Sequence, residues 1–128
     1  MRFLLDTHVL LWAIAEPARL SKRARHLLGD ESNHLLFSAA GILEIQLKRR
    51  AGKLKLPDQP GFLQHHILRL GVQEVLSITP EHAYRLLSLP AGHKDPFDCL
   101  LAAQCLAEGL PLITADRAFS TLGVRTLW

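Results

Sequence analysis

Five short apolar runs separated by helical patterns constrain the fold of this chain more than any other feature. The runs occupy residues 2–6, 34–37, 72–78, 110–114 and 124–128. Strands that are apolar throughout are buried on both faces, and strands joined by helices run parallel. The pattern therefore predicts an α/β fold, a three-layer α/β/α sandwich around a mostly parallel five-stranded sheet, with the last strand at the edge of the sheet.

Polar caps and prolines mark where the intervening helices begin. An N-cap residue followed by proline at the first helical position occurs at Thr79-Pro80 and at Asp95-Pro96. Ser38 is an N-cap candidate directly after a strand. These signals and the apolar periodicity predict helices over about residues 7–15, 22–28, 39–50, 62–70, 80–90 and 96–108, with a linker at 56–61.

Length and composition indicate a single domain. The chain has 128 residues, of which 48% are hydrophobic, and its mean hydropathy is +0.13. This is enough for one compact core and too little for two, so we predict a single domain over residues 1–128 and exclude a disordered chain. The net charge of +3 permits an anionic partner such as nucleic acid without requiring one.

Charged residues exclude a membrane span and a secretory signal. The longest stretch without Asp, Glu, Lys or Arg is residues 32–43, well short of the roughly 20 residues that a spanning helix needs. Asp6 and His8 interrupt the N-terminus where a signal peptide needs its apolar region. Cys99 and Cys105 lie about 9 Å apart along one predicted helix, too far to pair with each other. We expect reduced, buried thiols in a cytoplasmic protein.

Four acids occupy positions where an unpartnered carboxylate is costly. Asp6 and Asp116 follow the first and fourth strands, so a parallel sheet brings both to the same edge. Asp98 lies in the first turn of a helix that is apolar on almost every side, and Glu44 lies among apolar residues of the helix after the second strand. Topology therefore gathers the four acids at the carboxyl edge of the sheet, where α/β folds bind their ligands.

Each acid taken alone also has a purely structural explanation. Asp6 and Asp116 fit turn residues or N-caps. Asp98 fits the second half of a capping box with Asp95, or simply a favourable charge at the positive end of a helix. Glu44 has the i,i+4 spacing to a lysine that is typical of a solvated helix face. Taken together, clustered carboxylates raise one another's pKa unless a cation holds them.

Carboxylates without zinc-type ligands indicate a hard divalent cation. The seven histidines form no His-Glu-x-x-His pattern, and the two cysteines lack the paired spacing of a zinc site. Oxygen ligands alone suit Mg²⁺ or Mn²⁺. A metal held in this way activates a water molecule and screens the charge of a phosphodiester. We therefore expect metal-dependent phosphodiester hydrolysis.

The acids lie in four sequence blocks that resemble those of PIN-domain ribonucleases. The blocks are Leu4-Leu5-Asp6-Thr7-His8, the helix of Glu44, Asp95-Pro96-Phe97-Asp98 with residues 100–104 after it, and Leu112-Ile113-Thr114-Ala115-Asp116. In block order, spacing and length, the chain resembles from end to end the VapC-type toxins of bacterial toxin-antitoxin pairs. The resemblance implies an α/β/α sandwich, a Mg²⁺- or Mn²⁺-dependent endoribonuclease, a homodimer, and inhibition by a small antitoxin.

The resemblance also implies roles for individual residues. By position, Asp6 and Asp98 correspond to the principal metal ligands, and Glu44 and Asp116 complete the catalytic acidic site. The small hydroxyl positions of the family, at which we expect substrate contacts, correspond to Thr7 and Thr114.

The chain departs from the VapC-type pattern at two positions. Leu43 precedes the second acid, where an aromatic residue is frequent. Cys99 follows the third acid, where an arginine is frequent. Neither departure removes a carboxylate.

Positive side chains near the acid blocks are candidates for contact with substrate phosphates. Lys94 and Arg117 lie near the acids in sequence, and we expect them to contact phosphate. The five Lys and Arg residues between positions 48 and 55 either track an RNA backbone or form a solvated helix end.

Two other classes of function stay open at the level of sequence. A metal-dependent phosphohydrolase acting on a non-RNA phosphoester also gathers acids at strand ends. However, haloacid-dehalogenase phosphatases place a second Asp where this chain has His8, and receiver domains place acids where it has Thr7 and Ser77. A non-catalytic binding module uses the acids only as caps, and it predicts that replacing Asp98 leaves RNA cleavage unchanged.

Overall fold

A five-stranded sheet forms the centre of the computed structural model, which describes residues 1–128. The strands are β1 (Arg2–Leu5), β2 (His34–Ser38), β3 (Val72–Leu76), β4 (Leu112–Ile113) and β5 (Thr126–Leu127). Their order is β3-β2-β1-β4-β5, and every neighbouring pair is parallel. The predicted sheet is confirmed, and β3 and β5 are its edges.

Seven α-helices connect the strands, together with 3-10 turns at Pro17–Arg19 and Arg85–Ser88. The helices are α1 (Thr7–Ala15), α2 (Lys22–Gly29), α3 (Ala39–Arg50), α4 (Phe62–Arg69), α5 (Pro80–Tyr84), α6 (Pro96–Glu108) and α7 (Ala118–Thr121). The predicted cap residues Ser38, Thr79 and Asp95 all accept hydrogen bonds from backbone amides of the helices that follow them. No helix combines the length and the apolar character that crossing a membrane requires.

The last three strands are shorter than predicted. The third ends at Leu76 instead of Ile78, and the fourth and fifth have two residues each. The amide of Leu110 bonds to the carbonyl of Cys105 at the end of α6, and Pro111 has no amide proton to give to a ladder. The amide of Val124 likewise bonds to Phe119 in the turn of α7. Hydrogen bonds to the adjoining helices therefore remove the ends of both predicted strands.

The helix predicted over residues 80–90 is divided in two. It consists of α5 and the 3-10 turn Arg85–Ser88. Leu89 is extended, with ψ of 148°, as the residue before a proline usually is. Pro90 therefore ends the helical segment, and the last turn tightens to the 3-10 form.

Two hydrophobic clusters cover opposite faces of the sheet. Phe3 and Leu5 of β1 belong to a cluster of 14 buried residues packed under α1 to α4. Leu4, which points the other way, belongs to a cluster of 10 buried residues packed under α6 and α7. This alternation confirms the three-layer sandwich. Only the edge strand β3 departs from the expected double covering, because three of its five residues are exposed.

Both cysteines are free, as predicted. Cys105 is buried in the smaller cluster, and burial raises the pKa of its thiol to about 12. Cys99 is only partly buried, which corrects the expectation that both thiols are enclosed. It lies in the first turn of α6, two residues before the buried part of the helix begins at Leu101.

A glycine sets the distance between α3 and β2. A Cβ atom at Gly41 would lie 2.5 Å from Cζ of Phe37, whose ring is fully buried. No other residue type fits there without moving the ring. Glu44 follows three residues later on the same face of α3, so this close approach carries its carboxylate toward the end of β2.

Candidate active site

Three of the predicted acids meet at the carboxyl edge of the sheet. Asp6 directly follows β1, Glu44 lies on α3 directly after β2, and Asp98 lies in the first turn of α6. Asp6 and Glu44 are each only 4% exposed. Burial raises the pKa of the Asp6 carboxyl, and the charge of Glu44 adds to the rise. Asp6 and Glu44 therefore lie close enough for their charges to interact.

The pKa of the Asp98 carboxyl is also raised. Partial burial is the main cause, and the charges of Asp95 and Asp6 contribute. A hydrogen bond from His93 acts in the opposite direction, because it stabilises the ionised form. Asp98 therefore lies close enough to Asp6 for the two charges to interact, as we expect for acids gathered at one edge of the sheet.

Asp6 is held by a threonine from the neighbouring strand end. The hydroxyl of Thr114 donates to Oδ2 of Asp6 at 2.6 Å and accepts from the amide of Asp116 at 3.0 Å. Asp6 occupies the N-cap position of α1, but its side chain makes no capping hydrogen bond. The predicted N-cap position is thus confirmed, while the carboxylate itself is held by Thr114. The hydroxyl proton of Thr114 is engaged with Asp6, so the direct role of Thr114 is to orient that acid.

Asp98 is held by a histidine that sequence reasoning missed. Nε2 of His93 lies 3.0 Å from Oδ2 of Asp98. The capping-box explanation is wrong, because Asp95 accepts from the amides of Phe97 and Asp98 while the Asp98 carboxylate turns to His93. His93 lies in a loop without periodicity, and no sequence signal points its ring toward α6.

The residue after Asp98 supplies no positive charge. Sγ of Cys99 lies 3.5 Å from the carbonyl oxygen of His93. An arginine at position 99 would place a positive charge beside Asp98. In this chain the imidazole of His93 contacts Asp98 instead, from the preceding loop.

Glu44 is both paired and buried. Nζ of Lys48 lies 2.9 Å from Oε2 of Glu44. The predicted i,i+4 ion pair is thus present, but the face that carries Glu44 is not the solvated one that this spacing usually indicates. Leu43, where an aromatic residue is frequent in VapC-type chains, is 48% exposed.

Asp116 lies at the same edge but is more open than the other acids. It is exposed, and its Oδ1 accepts from the amide of Ala118 at 2.9 Å. Its predicted role as a turn residue is therefore confirmed. Asp116 also lines, together with Asp6, an open cavity of about 390 Å³. Asp116 therefore both stabilises the turn and lies beside Asp6.

A buried polar network joins α6 to the end of β2. Oγ of Ser38 donates to Oε1 of Gln104, and Nε2 of Gln104 donates to the carbonyl of Ser77. Gln104 is fully buried, and so is His82, which bonds to Glu108 of α6 at 2.8 Å. The Ser38–Gln104 bond docks α6, and with it Asp98, against the end of β2, and the other two bonds tie α6 to the residue after β3 and to α5.

The other predicted substrate residues are not drawn into the acidic group. Lys94 and Arg117 are exposed and form no ion pair with an acid. Thr7 is buried, and its Oγ1 has no hydrogen-bond partner. Two residues that the acid blocks did not indicate, Trp12 and Arg19, line the cavity that contains Asp6 and Asp116.

The carboxylates do not form a closed metal cage, so the predicted four-acid metal centre is not assembled as such. No group of three or more His, Cys, Asp or Glu side chains closes around a common point as the ligands of a full protein cage do. Mg²⁺ characteristically binds through one or two carboxylates and retains several waters. The unpartnered Oγ1 of Thr7, next to Asp6 in the chain, is a polar atom that could bond to such a water.

Comparison with known proteins gives the same family from sequence. The PIN domain family matches residues 3–124. Ribonuclease VapC22 of Mycobacterium tuberculosis is 31% identical over 119 residues, which cover 89% of this chain and 86% of that protein.

Solved structures share the fold over nearly their whole length. VapBC2 from Rickettsia felis, bound to a DNA fragment from its promoter, has a TM-score of 0.72 at 14% identity, covering 99% of this chain and 98% of that chain. FitAcB from Neisseria gonorrhoeae has a TM-score of 0.66 at 22% identity, covering 100% and 97%. The fold, the match over residues 3–124 and the similarity to VapC22 agree with the four acid blocks, and the chain belongs to the PIN domain family.

Proposed function

We propose that this protein is a metal-dependent endoribonuclease and the toxin of a toxin-antitoxin pair. The observation that carries the proposal is the convergence of Asp6, Glu44 and Asp98 at one edge of the sheet, with raised pKa values at both aspartates. Burying like charges together opposes folding, and a bound cation offsets that cost. Similarity to a protein named as a ribonuclease favours RNA as the substrate.

The proposed cofactor is Mg²⁺ or Mn²⁺. Asp6 and Asp98 would be its principal ligands, with Glu44 and Asp116 completing the acidic site. A divalent ion held by such carboxylates activates a water molecule and screens the charge of the phosphodiester.

The chain's own side chains prepare the site for that ion. Thr114 fixes the carboxylate of Asp6, and His93 fixes that of Asp98, so both acids are oriented before anything binds. Lys48 forms an ion pair with Glu44 and thereby offsets part of the negative charge at the site. Substrate contacts are proposed for Lys94, Arg117 and Thr7, with contact by Thr7 requiring its buried hydroxyl to become accessible.

The proposed partners are a small antitoxin and a second copy of this chain. The support is the similarity to VapC22 and the shared fold with proteins solved as VapBC2 and FitAcB. Free cysteines fit the reducing cytoplasm in which such a toxin would act. A short reading frame directly upstream, whose product co-purifies with this chain and suppresses RNA cleavage, would support the antitoxin. Light scattering after size exclusion tests the homodimer.

The decisive experiment measures cleavage of a mixed structured RNA pool by purified protein. Mg²⁺, Mn²⁺ and chelator are compared for the wild type, for Asp98→Asn, and for Asp58→Asn as a matched control. Asp58 is exposed and makes no hydrogen bond or ion pair through its side chain. We expect the wild type and Asp58→Asn to cut only with metal, and Asp98→Asn to lose cutting by at least 100-fold, on the order of the loss when a catalytic interaction is removed.

Equal cutting by the wild type and Asp98→Asn would show that the activity is a contaminant and would contradict the proposal. Cutting that is unaffected by chelator would contradict the metal-dependent form of it. If RNA stays intact while a small phosphoester is hydrolysed in a metal-dependent way, the chain is a phosphohydrolase of another substrate class.

A further inference from the structure

A second concavity of about 400 Å³ lies beside the acidic edge. Its apolar floor is formed by Leu11, Trp12, Leu54 and Leu56. Its rim carries cations from α3 and from the loop after it, Lys48, Lys53 and Lys55, and Arg19 stands opposite. The volume falls within the range of roughly 300–1,000 Å³ that is usual for ligand sites. We call this concavity the Trp12 groove.

The Trp12 groove is continuous with the acidic edge. His8, Trp12 and Arg19 line both the groove and the neighbouring cavity that contains Asp6 and Asp116. A chain molecule lying across the acids can therefore extend directly into the groove without leaving the protein surface.

Two cations of the rim are free for a ligand. Lys48 is engaged with Glu44, and Arg19 lies 3.4 Å from Glu16, the one acid of the lining. Lys53 and Lys55 are exposed and have no acid within ion-pair distance. Their charge is complementary to a polyanion that passes over the groove.

The floor favours an unpaired base over other anionic groups. Trp12 is half-buried, and the guanidinium of Arg19, whose carbon stands 4.3 Å from the ring centre, already covers one face of its indole. Indole and guanidinium planes are the surfaces on which proteins stack unpaired bases. A base inside a duplex is already stacked on both faces and cannot reach such a floor. A cationic rim around an aromatic floor therefore matches a single strand.

We infer that the Trp12 groove binds the single-stranded RNA that flanks the scissile phosphate, with an unpaired base stacked on the Trp12–Arg19 pair and backbone phosphates on Lys53 and Lys55. The inference rests on the proposed ribonuclease function. It adds that the RNA substrate is unpaired and that the strand leaves the acidic edge through the Trp12 groove. The basic segment after α3 thus acts through its last two lysines, while Lys48 serves the acidic site.

The test uses the chain's own tryptophans. Trp12 and Trp128 are its two tryptophans, and their ring centres are 5.8 Å apart, so intrinsic fluorescence reports on this one region. A short oligouridine is titrated into the full-length protein in chelator, which prevents cutting. A blunt RNA duplex of the same length and poly-L-glutamate are titrated in parallel. We expect saturable quenching by oligouridine alone.

The matched variants remove two positive charges each. Lys53→Ala with Lys55→Ala removes the free rim cations, and Arg69→Ala with Arg125→Ala removes two exposed arginines from the opposite, amino edge of the sheet. For two phosphate contacts to a single strand, the logarithm of the binding constant falls with the logarithm of the salt concentration with a slope of about 1.4. The lysine variant should therefore bind oligouridine about 25-fold more weakly near 0.1 M salt and about equally near 1 M. The arginine variant should bind like the wild type.

Four results would overturn the inference. Unchanged fluorescence on RNA binding would place the strand elsewhere and leave the groove to a protein partner. Equal quenching by poly-L-glutamate would show that the groove responds to charge and not to bases, and equal quenching by the duplex would show that it does not require an unpaired strand. Equal losses in the lysine and arginine variants would show that only net charge matters.

The outcome is separable from that of the proposed function. Metal-dependent cleavage that is lost in Asp98→Asn, together with unchanged tryptophan fluorescence, would overturn the groove and keep the ribonuclease. Saturable quenching by oligouridine without cleavage would keep the groove as a binding site for unpaired RNA and overturn the ribonuclease.

Discussion

Burial of Asp6 opposes folding at neutral pH. Because the pKa of its carboxyl is raised in the folded state, the unfolded chain releases this proton first as pH rises. Stability therefore falls as pH rises from the ordinary aspartate pKa, about 3.9, through the higher folded value. Asp6→Asn keeps an oxygen for the Thr114 hydroxyl and removes the charge. In chelator at pH 7 we expect it to raise the free energy of unfolding by on the order of 1 kcal/mol.

The pH dependence of that difference supplies the check. Urea unfolding of the wild type and Asp6→Asn is compared between pH 3 and pH 7, and the advantage of the variant should shrink as pH falls toward the unfolded-state pKa of about 3.9. A variant that is less stable than the wild type at pH 7 would contradict the assigned cost of the buried charge.

Metal binding should reverse the order of stability. At a concentration about 100-fold above its dissociation constant, Mg²⁺ or Mn²⁺ should stabilise the wild type by about 2.7 kcal/mol. Asp6→Asn, which lacks a proposed ligand, should gain much less. Thermal melts with and without metal measure both gains. Equal gains for the two proteins would remove Asp6 from the metal site.

His93 should act on metal affinity through Asp98. The imidazole lies 3.0 Å from the carboxylate and orients it. Loss of a hydrogen-bond partner behind a metal ligand typically costs 10- to 100-fold in affinity, so His93→Ala should raise the metal concentration for half-maximal cleavage by about that factor. His65→Ala, an exposed histidine on α4, should leave it unchanged. An unchanged metal titration for His93→Ala would show that the bond has no part in holding the ion.

At the scale of elements, the distance between α3 and β2 determines where Glu44 lies. The Cβ of alanine at position 41 would meet the buried ring of Phe37 at 2.5 Å, and the closely packed core leaves the ring little room to move. Overpacking of this kind costs typically 1–3 kcal/mol, which we expect for Gly41→Ala in urea unfolding.

Gly29 offers the matched control for that substitution. It ends α2 with no atom within 4 Å of an added Cβ and no positive φ. Gly29→Ala should therefore leave the free energy of unfolding unchanged or raise it by up to about 1 kcal/mol, because alanine lowers the conformational entropy of the unfolded chain. If both variants were equally stable, the close packing of α3 on β2 would not be a constraint on the site.

At the scale of the whole molecule, the two hydrophobic clusters share their strands. Successive residues of β1 enter opposite clusters, as do Leu36 and its neighbours in β2. Neither cluster can lose its strands without exposing the other, so we expect one cooperative transition over the whole chain. Far-UV and near-UV circular dichroism should give the same midpoint. Two separate transitions would contradict a single domain.

Local sequence signals determined the architecture and the acidic edge. Apolar runs and caps are readable because hydrogen bonding within a helix and the period of a strand involve near neighbours. The handedness of βαβ connections then brings the ends of parallel strands to one side. Asp6, Glu44 and Asp98 could therefore be predicted together from their places after strands and at a helix start.

The partners of those acids were decided only by tertiary structure. The Thr114–Asp6 bond joins residues 108 positions apart, and the Trp12 groove pairs the first helix with a loop after the third. His93 reaches Asp98 from a loop without periodicity. Such contacts depend on how close two packed elements come and which way a side chain turns, and no local pattern encodes either. The sequence therefore determined which edge carries the charge, and packing decided what holds each charge in place.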